Sequence, residues 1–189
     1  MKERPILMSA PMVLALLREQ NPKTQTRRVI KLNLSGRIEK GASKDAPPFD
    51  RRRKQWHPDD ANAVEGCPYG IPGDRLWVRE TCLFFIDGRG NNCALYRATG
   101  DVTDRWTPSI YMPRWASRIT LELTDVRVQR VQEISHKDAL AEGVEYDVSK
   151  SAGAPLPRFQ KLWDSINAKK HPWSSNPWVW ALSFRRVEA

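Results

Sequence analysis

The chain opens with a short apolar run, Pro5-Ile6-Leu7-Met8, that reads as a strand. Ser9 and Pro11 follow as helix-start residues, and Met12, Val13, Leu16 and Leu17 then recur at helical spacing to about Glu19. Asn21-Pro22 stops that helix, and the β-branched stretch Thr24 to Ile30 predicts a second strand. Residues 32–66 change character. They carry glycines, prolines and the run Arg51-Arg52-Arg53-Lys54 with few large apolar side chains, the pattern of a long basic loop inserted into a single domain spanning 1–189. After the turn Pro72-Gly73-Asp74, residues Arg75 to Phe85 alternate as a strand, with Leu76 and Val78 on one face and Trp77 and Arg79 on the other. Cys93 to Ala98 predicts another strand.

The clearest alternation lies between Trp115 and Val131. Ile119, Leu121 and Leu123 share a face, but Val126 and Val128 fall on the opposite parity, which predicts a bend or bulge near Asp125. Ser135-His136-Lys137-Asp138 resembles a capping box opening a short helix that Gly143 ends. Phe159, Leu162, Trp163 and Ile166 form the stripe of an amphipathic helix from Pro157 to Asn167, and Pro177 to Val187 predicts a closing strand. Trp178 and Trp180 share a parity, which suggests a layer against Trp163. Uneven strands with three short helices predict an α+β domain, a small, partly closed, mostly antiparallel β-barrel with flanking helices.

Composition and charge narrow the function. Of 189 residues, 40% are apolar and 28% charged, which excludes a disordered or fibrous chain. The net charge is +9, and residues 1–54 hold 14 of the 31 basic but only 5 of the 22 acidic residues. The whole excess therefore sits at one end, which points to a polyanion. No apolar run is long enough for a transmembrane helix, and Lys23, Arg27 and Arg28 follow the first helix in place of a cleavage site for a signal peptide. Three widely spaced cysteines fit a reducing, cytoplasmic compartment. Cys67, Cys82, Cys93 and His57 lack the spacing of a metal site, His136 and His171 have no acid or nucleophile nearby in sequence, and no phosphate-binding glycine loop occurs, so no metal or cofactor is expected.

The densest polar cluster is Lys23-Thr24-Gln25-Thr26-Arg27-Arg28. On a strand, Lys23, Gln25 and Arg27 face one way and Thr24, Thr26 and Arg28 the other. Such a basic strand start could bind a phosphate or a base. A lysine whose pKa is lowered by burial could also serve a threonine nucleophile, and the plain alternative is a solvated basic strand.

The segment Asn21-Pro22-Lys23-Thr24-Gln25-Thr26-Arg27 resembles the Gly-x-Lys-x-x-(Thr/Glu)-x-Arg signature of the ASCH domain, a member of the PUA-like superfamily. Asn21 stands where the family has Gly, and asparagine also accepts a positive φ. Pro22 stands where the family often has a basic residue. Gly73 to Glu80, Ile134 to Gly143 and Pro177 to Phe184 resemble further elements of that fold. Cys67-Pro68-Tyr69-Gly70 and Met112 to Arg118 resemble a phage- and prophage-associated branch. The resemblance implies a PUA-like β-barrel that recognises RNA, single-stranded nucleic acid or a modified pyrimidine nucleoside in a cleft between barrel and helices. One small bacterial member is an N4-acetylcytidine amidohydrolase, whose Thr nucleophile, Lys base and Glu proton shuttle match Thr26, Lys23 and Glu142. Other members have been assigned ribonuclease activity. On this reading Thr24, Arg27, Arg28, Trp77, Arg79 and Glu80 surround the ligand. Arg51, Arg52 and Arg53 lie in the insertion, which matches no family element, and read from its charge as a phosphate-tracking arm or else as a solvated loop. The oligomeric state is not read from the sequence.

Overall fold

In the computed structural model, residues 1–30, 66–144 and 154–187 are described. Seven strands and three α-helices follow in the order β1 (Glu3–Leu7), α1 (Ala10–Leu17), β2 (Gln25–Val29), β3 (Arg75–Arg79), β4 (Cys82–Ile86), β5 (Asn92–Tyr96), β6 (Thr120–Arg130), α2 (His136–Ala141), α3 (Pro155–Asn167) and β7 (Trp178–Val187). Five strands form one sheet in the order β1-β3-β6-β7-β2, and β4 and β5 form a separate hairpin. Among the described strands only β1 and β3 pair in parallel; the other pairings are antiparallel.

The main sheet buries one extensive apolar face against α1 and a smaller apolar patch of the other face against α2 and α3. On one face Leu76, Val78, Leu121, Leu123, Trp180, Leu182 and Phe184 pack with Val13 and Leu16 of α1. On the other, Val179 packs with Ala139 of α2 and with Phe159 and Trp163 of α3. The long strand β6 keeps its apolar side chains on the α1 face by slipping register between Leu123 and Asp125, so that Val126 rejoins the same core. This is the bulge that the change of parity predicts. No closed ring of strands is found. The ladders leave β1 and β2 as the two edges among the described strands. The sheet nevertheless curls enough for Arg28 of β2 to reach across to β1, where its Nη2 donates to the carbonyl of Leu7 at 2.6 Å.

Two expectations need correction. The stretch Arg75 to Phe85 is two strands in two sheets. Its break falls at Glu80, which is buried and held in two bonds by Arg118, while the Glu80 N–H is taken by Met112 Sδ. A carboxylate buried in mid-strand has to turn towards its guanidinium, and the chain leaves the ladder there. The tryptophan layer is also absent. Trp180 lies on the α1 face and Trp163 on the opposite one with Phe159, whose ring centroid is 6.3 Å away. Trp178 lies under the Arg130 guanidinium at 4.4 Å.

Asp74 clamps the parallel pair. Its carboxylate accepts from the Lys2 backbone N–H at 2.7 Å and from Arg4 Nη1 at 2.8 Å. Gly70 carries φ +114 and leaves no space for a Cβ, which would lie 2.5 Å from Arg4 Nη1 and 2.8 Å from Asp74 Oδ2. The Lys2 N–H and Arg4 hold the Asp74 carboxyl below the ordinary carboxylate range, against a smaller upward push from burial. A depressed carboxyl pKa contributes stability that is present above the unfolded value and is lost as pH falls through the folded one. Asp74→Asn is therefore expected to lower stability at neutral pH and to flatten the loss of stability below about pH 4. Urea denaturation across that range checks it, and parallel curves for the two proteins would refute it.

Candidate functional site

The segment before β2 is fixed from three sides. Lys23 N–H donates to the Ala15 carbonyl of α1 and Thr24 N–H to the Ala141 carbonyl at the end of α2, both at 2.8 Å. The Thr24 carbonyl accepts from Phe184 N–H of β7 at 2.9 Å. Asn21, just upstream, carries φ +50, a left-handed conformation that asparagine accepts more readily than most residues. This geometry turns the Lys23 side chain inward. Its relative exposure is 2%, and its Nζ donates at 2.6 Å to both Glu142 Oε2 and the Glu142 carbonyl.

Glu142 sits where α2 ends, because Ser135 Oγ caps that helix on Asp138 N–H and Gly143 leaves it at φ +86. A Cβ at Gly143 would stand 2.9 Å from Ala15 Cβ and 3.2 Å from Lys23 Cβ. Only glycine lets α1, α2 and Lys23 approach this closely.

Along β2 the alternation holds. Gln25 and Arg27 face α2, where Arg27 Nη1 reaches Glu142 Oε1 at 3.2 Å and Gln25 Oε1 at 2.9 Å. Arg27 Nη2 bonds Asp138 Oδ2 at 3.1 Å, and Gln25 Nε2 joins Asp138 Oδ1 to Ser183 Oγ. Burial pushes the Lys23 amine below the usual lysine range, the Glu142 carboxylate opposes this, and the Arg28 and Arg27 charges add to it. At Asp138 burial acts upward, but Gln25, Arg127 and Arg27 together outweigh it and hold the carboxyl low. Arg27 also lies 5.7 Å from the centre of the Phe159 ring, and its Nε is buried with no hydrogen-bond partner among the described residues.

The structure therefore brings Lys23, Arg27 and Glu142 together. Thr26 is buried next to them in sequence but on the other face of β2. It pairs with Leu182 of the α1-side core, and no hydrogen bond links its hydroxyl to Lys23 or Glu142 among the described residues. Arg28 shares the Thr26 face and lies at the β1–β2 seam, with its Nε buried and unpartnered among the described residues. Thr24 contributes backbone bonds while its side chain is exposed. Trp77, Arg79 and Glu80 make contacts with a different set of residues, around Met112, Arg114 and Arg118. Arg51, Arg52 and Arg53 fall outside the described residues. Sequence reading missed Gln25, Asp138 and Ser183. Gln25 was signalled by its shared parity with Lys23 and Arg27, whereas Asp138 was read only as a helix cap.

Among the described residues no group of three or more His, Cys, Asp or Glu side chains is placed to hold a metal ion, and no helix is long and apolar enough to cross a membrane. Comparison with family models, with curated proteins and with solved structures finds no match to this chain.

Removing one member of a buried ion pair strands the other, at a cost of about 3–5 kcal/mol. Here the two sides are unequal. Glu142 without Lys23 keeps Arg27, whereas Lys23 without Glu142 keeps no carboxylate among its hydrogen-bond partners. Glu142→Leu is expected to destabilise by about 3–5 kcal/mol and Lys23→Met by clearly less. Denaturant unfolding of both variants checks the order, and the reverse order would refute it.

Proposed function

We propose that this chain is an ASCH-type, PUA-like protein that recognises a modified pyrimidine nucleoside, free or within RNA, beside β2. The observation that carries the reading is the buried group of Lys23, Arg27, Glu142 and Asp138, in which Arg27 Nε has no partner among the described residues. A buried donor left unpaired costs about 1–3 kcal/mol, which a polar base edge would recover on binding. Directional donors and acceptors away from water also reject analogues that lack the matching groups. The PUA-like barrel belongs to the same proposal. The Arg28 bridge from β2 to Leu7 is consistent with edges that approach as in a partly closed barrel.

A second reading, hydrolysis of N4-acylcytosine nucleosides, is favoured by one observation: burial moves the Lys23 amine toward its neutral, proton-accepting form. In that reaction Thr26 Oγ1 attacks the acyl carbonyl and its proton passes to Lys23. Glu142 relays that proton from Lys23 to the departing N4 amine, and water then hydrolyses the acyl ester, leaving the free acid and restoring the Thr26 hydroxyl. Recognition is the reading we prefer, since the Lys23 amine closes on Glu142 and Thr26 faces the other side of the strand.

Calorimetric titration with cytidine and N4-acetylcytidine tests the proposal, together with acetate release. Recognition predicts saturable binding of a pyrimidine nucleoside and no acetate. Arg27→Lys, which keeps the charge but removes the unpaired Nε–H, is expected to weaken binding about tenfold through the loss of one hydrogen bond. Acetate release by the wild type but not by Thr26→Val would replace recognition with hydrolysis. Absence of nucleoside binding would leave the buried charges as a structural brace only.

A further inference from the structure

The outer face of β3 is built differently from the β2 site. Leu76 and Val78 enter the core, and Trp77 and Arg79 stand on the opposite face, half-buried. Two guanidiniums lie over the Trp77 ring, that of Arg79 at 5.2 Å and that of Arg114 at 5.9 Å from its centre. Arg114 is itself held by Glu3, with Nε 3.0 Å from Oε2. Arg79 also donates Nε to the Met112 carbonyl at 3.1 Å and Nη2 to the Ile110 carbonyl. These bonds, with the fully buried Met112 side chain, pin the 109–116 stretch to the sheet.

What that pinned stretch displays is aromatic. Tyr111 is 69% exposed and Trp115 48%, and the Phe84 ring stands edge-on to Trp115 with centroids 6.1 Å apart. Large rings held this far out of the core add little to folding, but they present stacking faces at low entropic cost. The basic residues of this part of the chain are all of one chemical kind. Between residues 66 and 118 every basic residue is arginine, seven against five acids. Of those acids, Glu80 is closed by Arg118 and Asp74 by Arg4. Arginine pairs with phosphate through two parallel bonds and stacks on flat rings, which lysine does not do.

The surface also abuts the seam beside β2. Arg79 is in register with Leu7 of β1, and the Leu7 carbonyl is the one that Arg28 of β2 holds. Neighbouring strands are about 4.8 Å apart, so Arg79 lies close to the carbonyl that Arg28 holds, with Arg28 on the α1 side of the sheet and Trp77 and Arg79 on the other.

We propose that Trp77, Arg79, Tyr111, Arg114 and Trp115 form a stacking platform for a single-stranded nucleic acid, with unpaired bases on the rings and phosphates on the arginines. The proposal rests on the reading of the β2 site as a nucleoside or RNA site and extends it to neighbouring nucleotides. Rings with guanidiniums over them suit an unpaired base better than a second protein, which would bury Arg114 and Glu3 together.

Fluorescence anisotropy with labelled single strands of about 12 nucleotides, in RNA and DNA arms and at two salt concentrations, tests it. Trp115→Ala and Tyr111→Ala alter exposed side chains, and circular dichroism confirms that each variant folds. Each is expected to weaken strand binding about 5- to 100-fold, the range for loss of one stacked base. Nucleoside binding should stay within about twofold of wild type, since a single nucleoside does not reach a second stacking site. Strand affinity unchanged in both variants overturns the platform while leaving the β2 reading intact. Absence of nucleoside binding by the wild type, with strand binding still dependent on Trp115, sets aside the β2 reading and keeps the platform. A dimer of the wild type that Trp115→Ala dissociates, with strand affinity unchanged, assigns the surface to self-association and overturns the proposal. The RNA and DNA arms distinguish the sugar the platform accepts.

Discussion

The ion pair between Lys23 and Glu142 is the constraint around which the rest of the structure is arranged. It joins positions 119 residues apart, and both partners are almost wholly removed from water. Taking two charges out of water costs several kcal/mol each, so the pair is tolerable only with extra bonds and close geometry. The surroundings supply both. The Glu142 backbone carbonyl gives Lys23 a second acceptor, Arg27 occupies the other carboxylate oxygen, and Gly143 removes the side chain that would force α2 away from α1. The sheet is drawn in as well, since Thr24 bonds both α2 and β7 through its backbone. Two helices on opposite faces of the sheet thus meet at one strand entrance.

This arrangement changes the meaning of the basic N-terminal end. As a count, its charges point outward to a polyanion. In the structure, Lys23 and Arg27 are neutralised from within by Glu142 and Asp138, and Arg4 by Asp74. Much of what reads as a basic patch is internal bracing. The remaining excess, from Lys31 to Lys54, belongs to residues outside those described. The arginines around Trp77 lie beyond residue 54, where the charges sum to zero, so a charge tally by segment passes over them.

Local features were the legible ones. The bulge in β6 follows from a parity change across six residues, the left-handed Asn21 from one residue type, and the end of α2 from a capping serine and a glycine. Features that depend on distant partners were not legible. Nothing near Glu80 announces that Arg118 will claim it, and without that pairing the run from Arg75 to Phe85 looks continuous. The tryptophans went the same way: parity showed that Trp178 and Trp180 share a side but not which helix covers it. At the candidate site, the grouping of Lys23 with Glu142 came from resemblance to a family motif. The partnership of Gln25 with Asp138 spans 113 residues and leaves no local trace.

The parallel pairing of β1 with β3 has a consequence for how this chain can vary. Glu3 meets Arg75, so most of the first third of the sequence is a closed loop in the folded protein. The entropy of closing such a loop grows only with the logarithm of its length, at about 0.6 kcal/mol for each doubling. The closure is already borne by the Asp74 clamp and the strand ladder. Residues inserted or lost between β2 and β3 would barely change that balance, whereas loss of the clamp would release the whole loop at once. The segment between these strands is therefore where length can drift at low thermodynamic cost.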